Sequence, residues 1–153
     1  MFDILLCKPN KDPEEYGFAK FYGYAEIKQR INKITGLADA ANYKNKKVLL
    51  VLEDYFIEEG ALRIIGEKNE ACFLIDLSRI IKNKGVPKAL ELSRVRSFLV
   101  FCKKYKVGYA LASFASEEQS IRTARELIHI GFLLGLTTAE SKNALRRISE
   151  YLD

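Results

Sequence analysis

Apolar positions along the chain fall into two patterns, short continuous runs and longer stretches at helical spacing. The runs at residues 2–7 (FDILLC), 48–52 (VLLVL), 71–77 (ACFLIDL) and 107–112 (VGYALA) are short and β-compatible. Runs of this kind belong to strands covered on both faces in a parallel sheet. Residues 18–27 (FAKFYGYAEI) are rich in aromatics and predict one more strand. Between the runs lie amphipathic stretches. In residues 28–37, Ile31 and Ile34 share one face among Lys28, Arg30 and Lys33, which predicts a short helix closing near Gly36. Residues 56–67 carry Ile57, Leu62 and Ile65 as a second helix. Residues 88–106 predict a strong helix, buried along Leu92, Val95, Leu99 and Cys102. Beyond the strand at 107–112, Ser116 and Gln119 have capping-box spacing. Ile121, Ala124, Ile128 and Phe132 then follow on one face, and Gly135 suits a left-handed closing residue. Thr137 and Glu140 repeat the capping-box spacing ahead of a last helix, faced by Ser141, Leu145, Ile148 and Leu152.

Strands alternating with helices imply parallel βαβ units with right-handed crossovers. A chain of 153 residues is expected to form a single α/β domain, residues 1–153. A closed eight-stranded barrel takes about 250 residues, so a small open sheet or a shortened barrel is expected. No apolar run approaches the roughly 20 residues of a membrane helix. Residues 1–10 lack the pattern of a signal peptide. Cys7, Cys72 and Cys102 are odd in number and lie far apart in apolar stretches, as expected of free buried thiols in a reducing cytoplasm. A single histidine, His129, and no CxxC pair exclude multi-histidine centres and zinc fingers.

Charge divides the chain. Residues 1–76 carry 11 basic and 13 acidic groups, and residues 77–153 carry 14 and 7. The second half is therefore the basic one, an asymmetry that suggests an acidic partner such as nucleic acid. Its densest segment, 79–106, holds Arg79, Lys82, Lys84, Lys88, Arg94, Arg96, Lys103, Lys104 and Lys106 against one acid, Glu91. Arg79 follows the carboxyl end of one strand, and Arg122 and Arg125 follow the next, so neighbouring parallel strands would bring the three towards one rim. Arginine forks suit bidentate phosphate contacts. Ser113 and Ser116, with Arg122 and Arg125 in the helix that follows, have the makings of an anion site at a helix N-terminus. The serines lack a neighbouring base: along one helix His129 would lie about 20 Å from Ser116. The acids expected at strand ends are Glu53, Asp54 and Asp76. They could bind Mg²⁺ or supply a base, but no histidine joins them. No glycine-rich phosphate loop and no GxSxG elbow is present.

Leu74-Ile75-Asp76-Leu77-Ser78-Arg79, then Arg94-Val95-Arg96 and Cys102-Lys103-Lys104-Tyr105-Lys106-Val107, resembles archaeal ribonuclease P protein component 3, the thirty-kilodalton subunit family. Ser113-Phe114-Ala115 resembles that family's Ser-Gly-Ala, with Phe114 in place of glycine. Ile121-Arg122-Thr123-Ala124-Arg125-Glu126-Leu127 looks like its Leu-Arg-Ser-Pro-Arg-Asp-Leu, with Ala124 in place of proline. Leu133-Leu134-Gly135-Leu136 and Ala139-Glu140 resemble its ending, so the likeness spans roughly residues 71–152. The resemblance implies a shortened or incomplete β/α barrel of the polymerase and histidinol phosphatase type. It implies a non-catalytic, cytoplasmic RNA-binding subunit of ribonuclease P, supporting the catalytic RNA in 5′ maturation of precursor tRNA. Mg²⁺ would sit on the RNA and no cofactor in the protein. Protein component 2 would be a partner, in a heterotetramer. The RNA contacts expected are Arg79, Lys88, Arg94, Arg96, Lys103, Lys104, Ser113, Ser116, Arg122 and Arg125. The alternative is a small α/β enzyme acting on a phosphorylated metabolite, with Glu53 or Asp76 as base and the same serine and arginine rim for the phosphate.

Overall fold

The computed structural model describes residues 1–68 and 70–153. Its strands are β1 (Phe2–Leu5), β2 (Lys20–Gly23), β3 (Ile31–Ile34), β4 (Leu49–Leu52), β5 (Cys72–Asp76) and β6 (Gly108–Ala112). Its helices are α1 (Tyr24–Ile27), α2 (Leu37–Ala40), α3 (Glu59–Lys68), α4 (Ser78–Lys82), α5 (Gly85–Lys104), α6 (Ala124–Leu133) and α7 (Thr138–Leu152). Every ladder is parallel: β1 pairs with β2, and β3, β4, β5 and β6 form a second sheet in that order.

A seam joins the two sheets. Leu5 bridges Ala115 just beyond β6. Phe114 donates its N–H to Ile4 O at 3.0 Å, and Leu6 donates to Ala115 O at 2.8 Å. The strands therefore run β2-β1-β6-β5-β4-β3 round an arc. Among the described residues no ladder joins β2 to β3. The result is an incomplete β/α barrel, open along one side.

Alternation along the strands sorts the core into two layers. Leu50, Leu52, Phe73, Ile75, Tyr109 and Leu111 face outward, onto Leu62 and Ile65 of α3 and Val95, Phe98 and Leu99 of α5. Ile4, Tyr22, Leu49, Val51, Cys72, Leu74, Ala110 and Ala112 face inward. Ile148 and Leu152 of α7 join this inner layer, and the contacts of α7 show why. Arg147 donates to Tyr109 O at 2.9 Å, Tyr151 to Glu70 O at 3.1 Å and Tyr22 to Asp153 at 2.6 Å. Arg30 donates to Leu152 O. Tyr109 and Tyr22 belong to β6 and β2, while Glu70 and Arg30 come just before β5 and β3. The last helix thus lies across the amino-terminal mouth and closes it. The carboxyl-terminal mouth, where α/β folds hold their sites, stays open.

Several expectations are corrected. Residues 28–37 do not form a helix: Lys28–Arg30 is one 3-10 turn, and Ile31–Ile34 is strand β3. Positions three apart share a helical face but lie on opposite faces of a strand. Ile31 belongs to the inner layer and Ile34 to the outer, and two β-branched residues suit that double-sided burial. The strand predicted at 18–27 is β2 alone, with Tyr24–Ile27 turning into α1. Helix α5 begins at Gly85, three residues before the expected start. Cys72 and Cys102 are buried free thiols, whereas Cys7 is only half-buried. The chain from Ser116 to Arg122 is a loop containing one 3-10 turn, and α6 starts at Ala124. Its cap is Thr123 rather than Ser116. Glu126 N–H donates to Thr123 Oγ1 at 3.2 Å, and Thr123 N–H donates to the Glu126 carboxylate at 2.7 Å. This reciprocal pair satisfies donors at both ends of the first turn. Ala124, Leu127, Ile128 and Gly131 are its buried face, while Phe132 is exposed. Gly135 is left-handed as expected, with φ +80°.

Candidate nucleic-acid interface

Segments leaving β4, β5 and β6 meet at the open mouth. Asp76 ends β5, and its Oδ1 accepts from Ser78 N–H at 2.8 Å, holding the turn into α4. One turn along that helix, Lys82 donates to Ser116 Oγ at 2.7 Å, tying α4 to the loop after β6. Arg79 points the other way. Its Nη1 donates to Glu53 O at 3.3 Å and stands 3.9 Å from Glu91. Arg122 turns back on its own loop, donating to Gln119 O at 2.9 Å and Ile121 O at 3.3 Å. Arg79 and Arg122 are thus held by different partners on different elements. The expected rim is therefore two separate groups, Arg79 on the Glu53 carbonyl and the Glu91 carboxylate, and Arg122 on the loop after β6.

The helix N-terminus expected to receive an anion is already filled. The Glu126 carboxylate occupies the first turn of α6, and the backbone N–H of Thr123 holds its pKa below the usual carboxylate range. A phosphate there would meet a fixed negative charge.

Ser113 does not face solvent. It is 0% exposed, and its Oγ donates to Asp3 Oδ2 at 2.6 Å. Its N–H and that of Ile4 donate to Asp3 Oδ1 at 2.7 and 2.8 Å. Ser113 is thus withdrawn as an RNA contact: it clamps the seam between β1 and β6. Burial raises the Asp3 carboxyl to about 6, against the pull of these hydrogen bonds. The next residue, Phe114, has φ +47°. That is the left-handed region that favours glycine, which accounts physically for the glycine of the Ser-Gly-Ala pattern this segment resembles.

Helix α5 spreads its cations to its flanks. Its outermost line carries Val86, Leu90 and Val100, which are 71%, 52% and 59% exposed, with Ser93 and Ser97 between them. Arg94 lies to one side, in a groove with Phe56 and Ile57. Arg96 lies to the other, packed over Gly135. Lys103 donates to Gly135 O at 3.4 Å and pairs with Glu140 at 3.0 Å, where the carbonyl end of α6 favours a cation. Lys104 pairs with Glu59 at 3.2 Å. Exposed pairs of this kind contribute little to stability and open readily. Lys88 is half-buried, and Arg94, Arg96 and Arg125 are exposed. Among the described residues, Lys88, Arg94, Arg96 and Arg125 make no ion pair.

Sequence reasoning missed three groups at the mouth. Lys33, assigned to a helix, lies in β3. Tyr55 follows the acids at the end of β4. Glu91 is 7% exposed, buried on the same face of α5 as Val95, Phe98 and Cys102. The spacing 91, 95, 98 and 102 carries that signal, and only the charge of Glu91 conceals it. His129 lies on the exposed side of α6, its Nδ1 2.8 Å from Arg125 O. Among the described residues, Glu53, Asp54 and Asp76 do not form a group placed to hold a metal ion.

Fold and site together define a small parallel β/α protein, plugged at one mouth by α7, with exposed cations spread along α5 and at the start of α6. No family model and no curated protein matches the chain in sequence. In fold it is similar to a chain of the cryo-EM structure of archaeal ribonuclease P with mature tRNA. The TM-score is 0.67 at 13% identity, over 98% of this chain and 79% of that one. Among the described residues no helix is long and apolar enough to cross a membrane.

Proposed function

We propose that the chain is an RNA-binding protein subunit of ribonuclease P, supporting the catalytic RNA in 5′ maturation of precursor tRNA. The observation that carries this reading is the similarity in fold, over nearly the whole chain, to a component of an archaeal ribonuclease P. The chemistry agrees in kind. Exposed arginines on α5 and α6 suit backbone phosphate, and such contacts hold RNA shape more than they read sequence. Arg94, Arg96, Arg125 and Lys88 are the primary contacts. Lys103 and Lys104 join on exchanging their weak carboxylate partners for phosphate, Arg79 contacts the RNA from the open mouth, and Ser116 and Arg122 contribute from the loop after β6. The RNA carries the phosphodiester hydrolysis with its own Mg²⁺. Protein component 2, in a heterotetramer, is the proposed protein partner.

One observation favours the metabolite enzyme: Glu53 and Asp76 lie beside Arg79 at the mouth. Against it, Ser116 hydrogen-bonds Lys82, and Arg122 is held on its own loop, so the serine and arginine rim does not join those acids. The test is reconstitution of precursor-tRNA cleavage with the ribonuclease P RNA and partner proteins. Arg94→Ala with Arg125→Ala is expected to lower cleavage at least tenfold while leaving the unfolding midpoint unchanged. Full cleavage without this chain, or with the double variant, would overturn the proposal.

A further inference from the structure

At the open mouth lies a cleft of about 230 Å³, walled by Lys33, Glu53, Tyr55, Asp76, Arg79 and Glu91. Two of its groups are orphans. Tyr55 and Glu91 are each 7% exposed. Among the described residues, neither the Tyr55 hydroxyl nor Glu91 Oε1 has a hydrogen-bond partner. Arg79 Nη1, at 3.9 Å, is beyond hydrogen-bond reach of Glu91. Buried polar groups are nearly always paired, so orphans facing a cleft call for an occupant. Both are fixed in place, Tyr55 by edge contact with Phe98 at 5.2 Å and Glu91 by the buried face of α5.

The occupant must bring adjacent donors for Glu91 and acceptors for the cations. The cleft is smaller than the usual 300–1,000 Å³ of a small-molecule site, which suits a flat group of about ten heavy atoms. Guanine fits this description. Its N1–H and N2–H₂ lie side by side, as a carboxylate needs, and its O6 and N7 accept an arginine fork. Adenine would turn its N1 lone pair towards the carboxylate, and cytosine its N3. Tyr55, which both donates and accepts, completes the edge. Single-stranded RNA is commonly read through bases splayed out of the stack.

We propose that the cleft between Glu91, Tyr55 and Arg79 takes an unstacked guanine base of the bound RNA. This rests on the RNA-binding reading above. The experiment titrates the full chain with GMP and, separately, AMP, following amide and tyrosine resonances. A second arm measures affinity for the ribonuclease P RNA in wild type, Glu91→Gln and Tyr55→Phe. The expected result is that GMP shifts the signals of Tyr55 and Glu91 at concentrations at least tenfold below AMP. Glu91→Gln abolishes that preference and weakens RNA binding about tenfold. The wild-type comparison needs no variant to fold, and Tyr55→Phe removes only a hydroxyl. RNA binding with no GMP preference overturns the guanine site and leaves the RNA reading standing. A GMP preference without RNA binding upholds the guanine chemistry of the cleft and overturns the RNA reading.

Discussion

Asp3 offers a measurable consequence of how the barrel seam is built. The carboxylate is buried against Ser113 and accepts three hydrogen bonds. Its pKa nevertheless rises from 3.8 to about 6, because burial outweighs those bonds. The sign follows from linkage. Between about pH 4 and 6 the folded chain holds a proton on Asp3 that the unfolded chain has released, so the stability this group supplies falls as pH rises through that window. A shift of about two units corresponds to about 3 kcal/mol, or roughly 6–12 °C of Tm for a domain of this size. The perturbation is Asp3→Asn, which keeps an acceptor for the two N–H groups and removes the titration. Urea unfolding of both proteins at half-unit steps from pH 3.5 to pH 7 is the assay, read as their difference. Taking the difference removes the opposite trend of Glu59, Glu126, Glu140 and Asp153, whose lowered pKa values make stability fall on acidification. The difference is expected to favour wild type most at the acid end and to shrink by about 3 kcal/mol towards neutrality. A flat difference, or one growing with pH, would refute the argument that burial dominates at Asp3.

Two further predictions concern the same region. Phe114→Gly relieves a left-handed backbone worth about 1–2 kcal/mol but deletes a buried ring worth about 3–5 kcal/mol, so a net loss of about 2–3 kcal/mol is expected in urea unfolding. An unchanged or raised midpoint would contradict the packing of that ring against Tyr24. Thr123→Ala should cost about 1 kcal/mol through the lost cap of α6, whereas Ser116→Ala should leave stability within about 0.5 kcal/mol. The reverse ranking would restore Ser116 as the cap.

The buried runs were the most legible part of the fold, because a strand covered on both faces has few other readings. The same holds for α7, where Thr137, Glu140 and the face Ser141, Leu145, Ile148 and Leu152 stand as the pattern implies. Strand β3 was hidden by a coincidence of period: Ile31 and Ile34 fit one helical face as readily as two faces of a strand, and only pairing with β4 decides. Ser116 and Thr123 both have a partner three residues on, and spacing alone cannot rank them. The site was less legible still. Charge counts place nine cations between residues 79 and 106, but not which of them meet Glu53, Glu59 or Glu140, since those acids lie on other elements. The sequence puts Ser113 in an anion site because its buried partner, Asp3, lies 110 residues away.

In the proposed role, exposed cations of this chain neutralise RNA phosphate. Its most direct test is the affinity of the purified chain for the ribonuclease P RNA as a function of salt. A linear fall of log affinity with log salt is expected, losing about 0.7–0.9 in slope for each phosphate contact removed. Arg94→Ala, Arg96→Ala and Arg125→Ala should each flatten that slope by about 1. No binding, or binding that salt leaves unchanged, would contradict it.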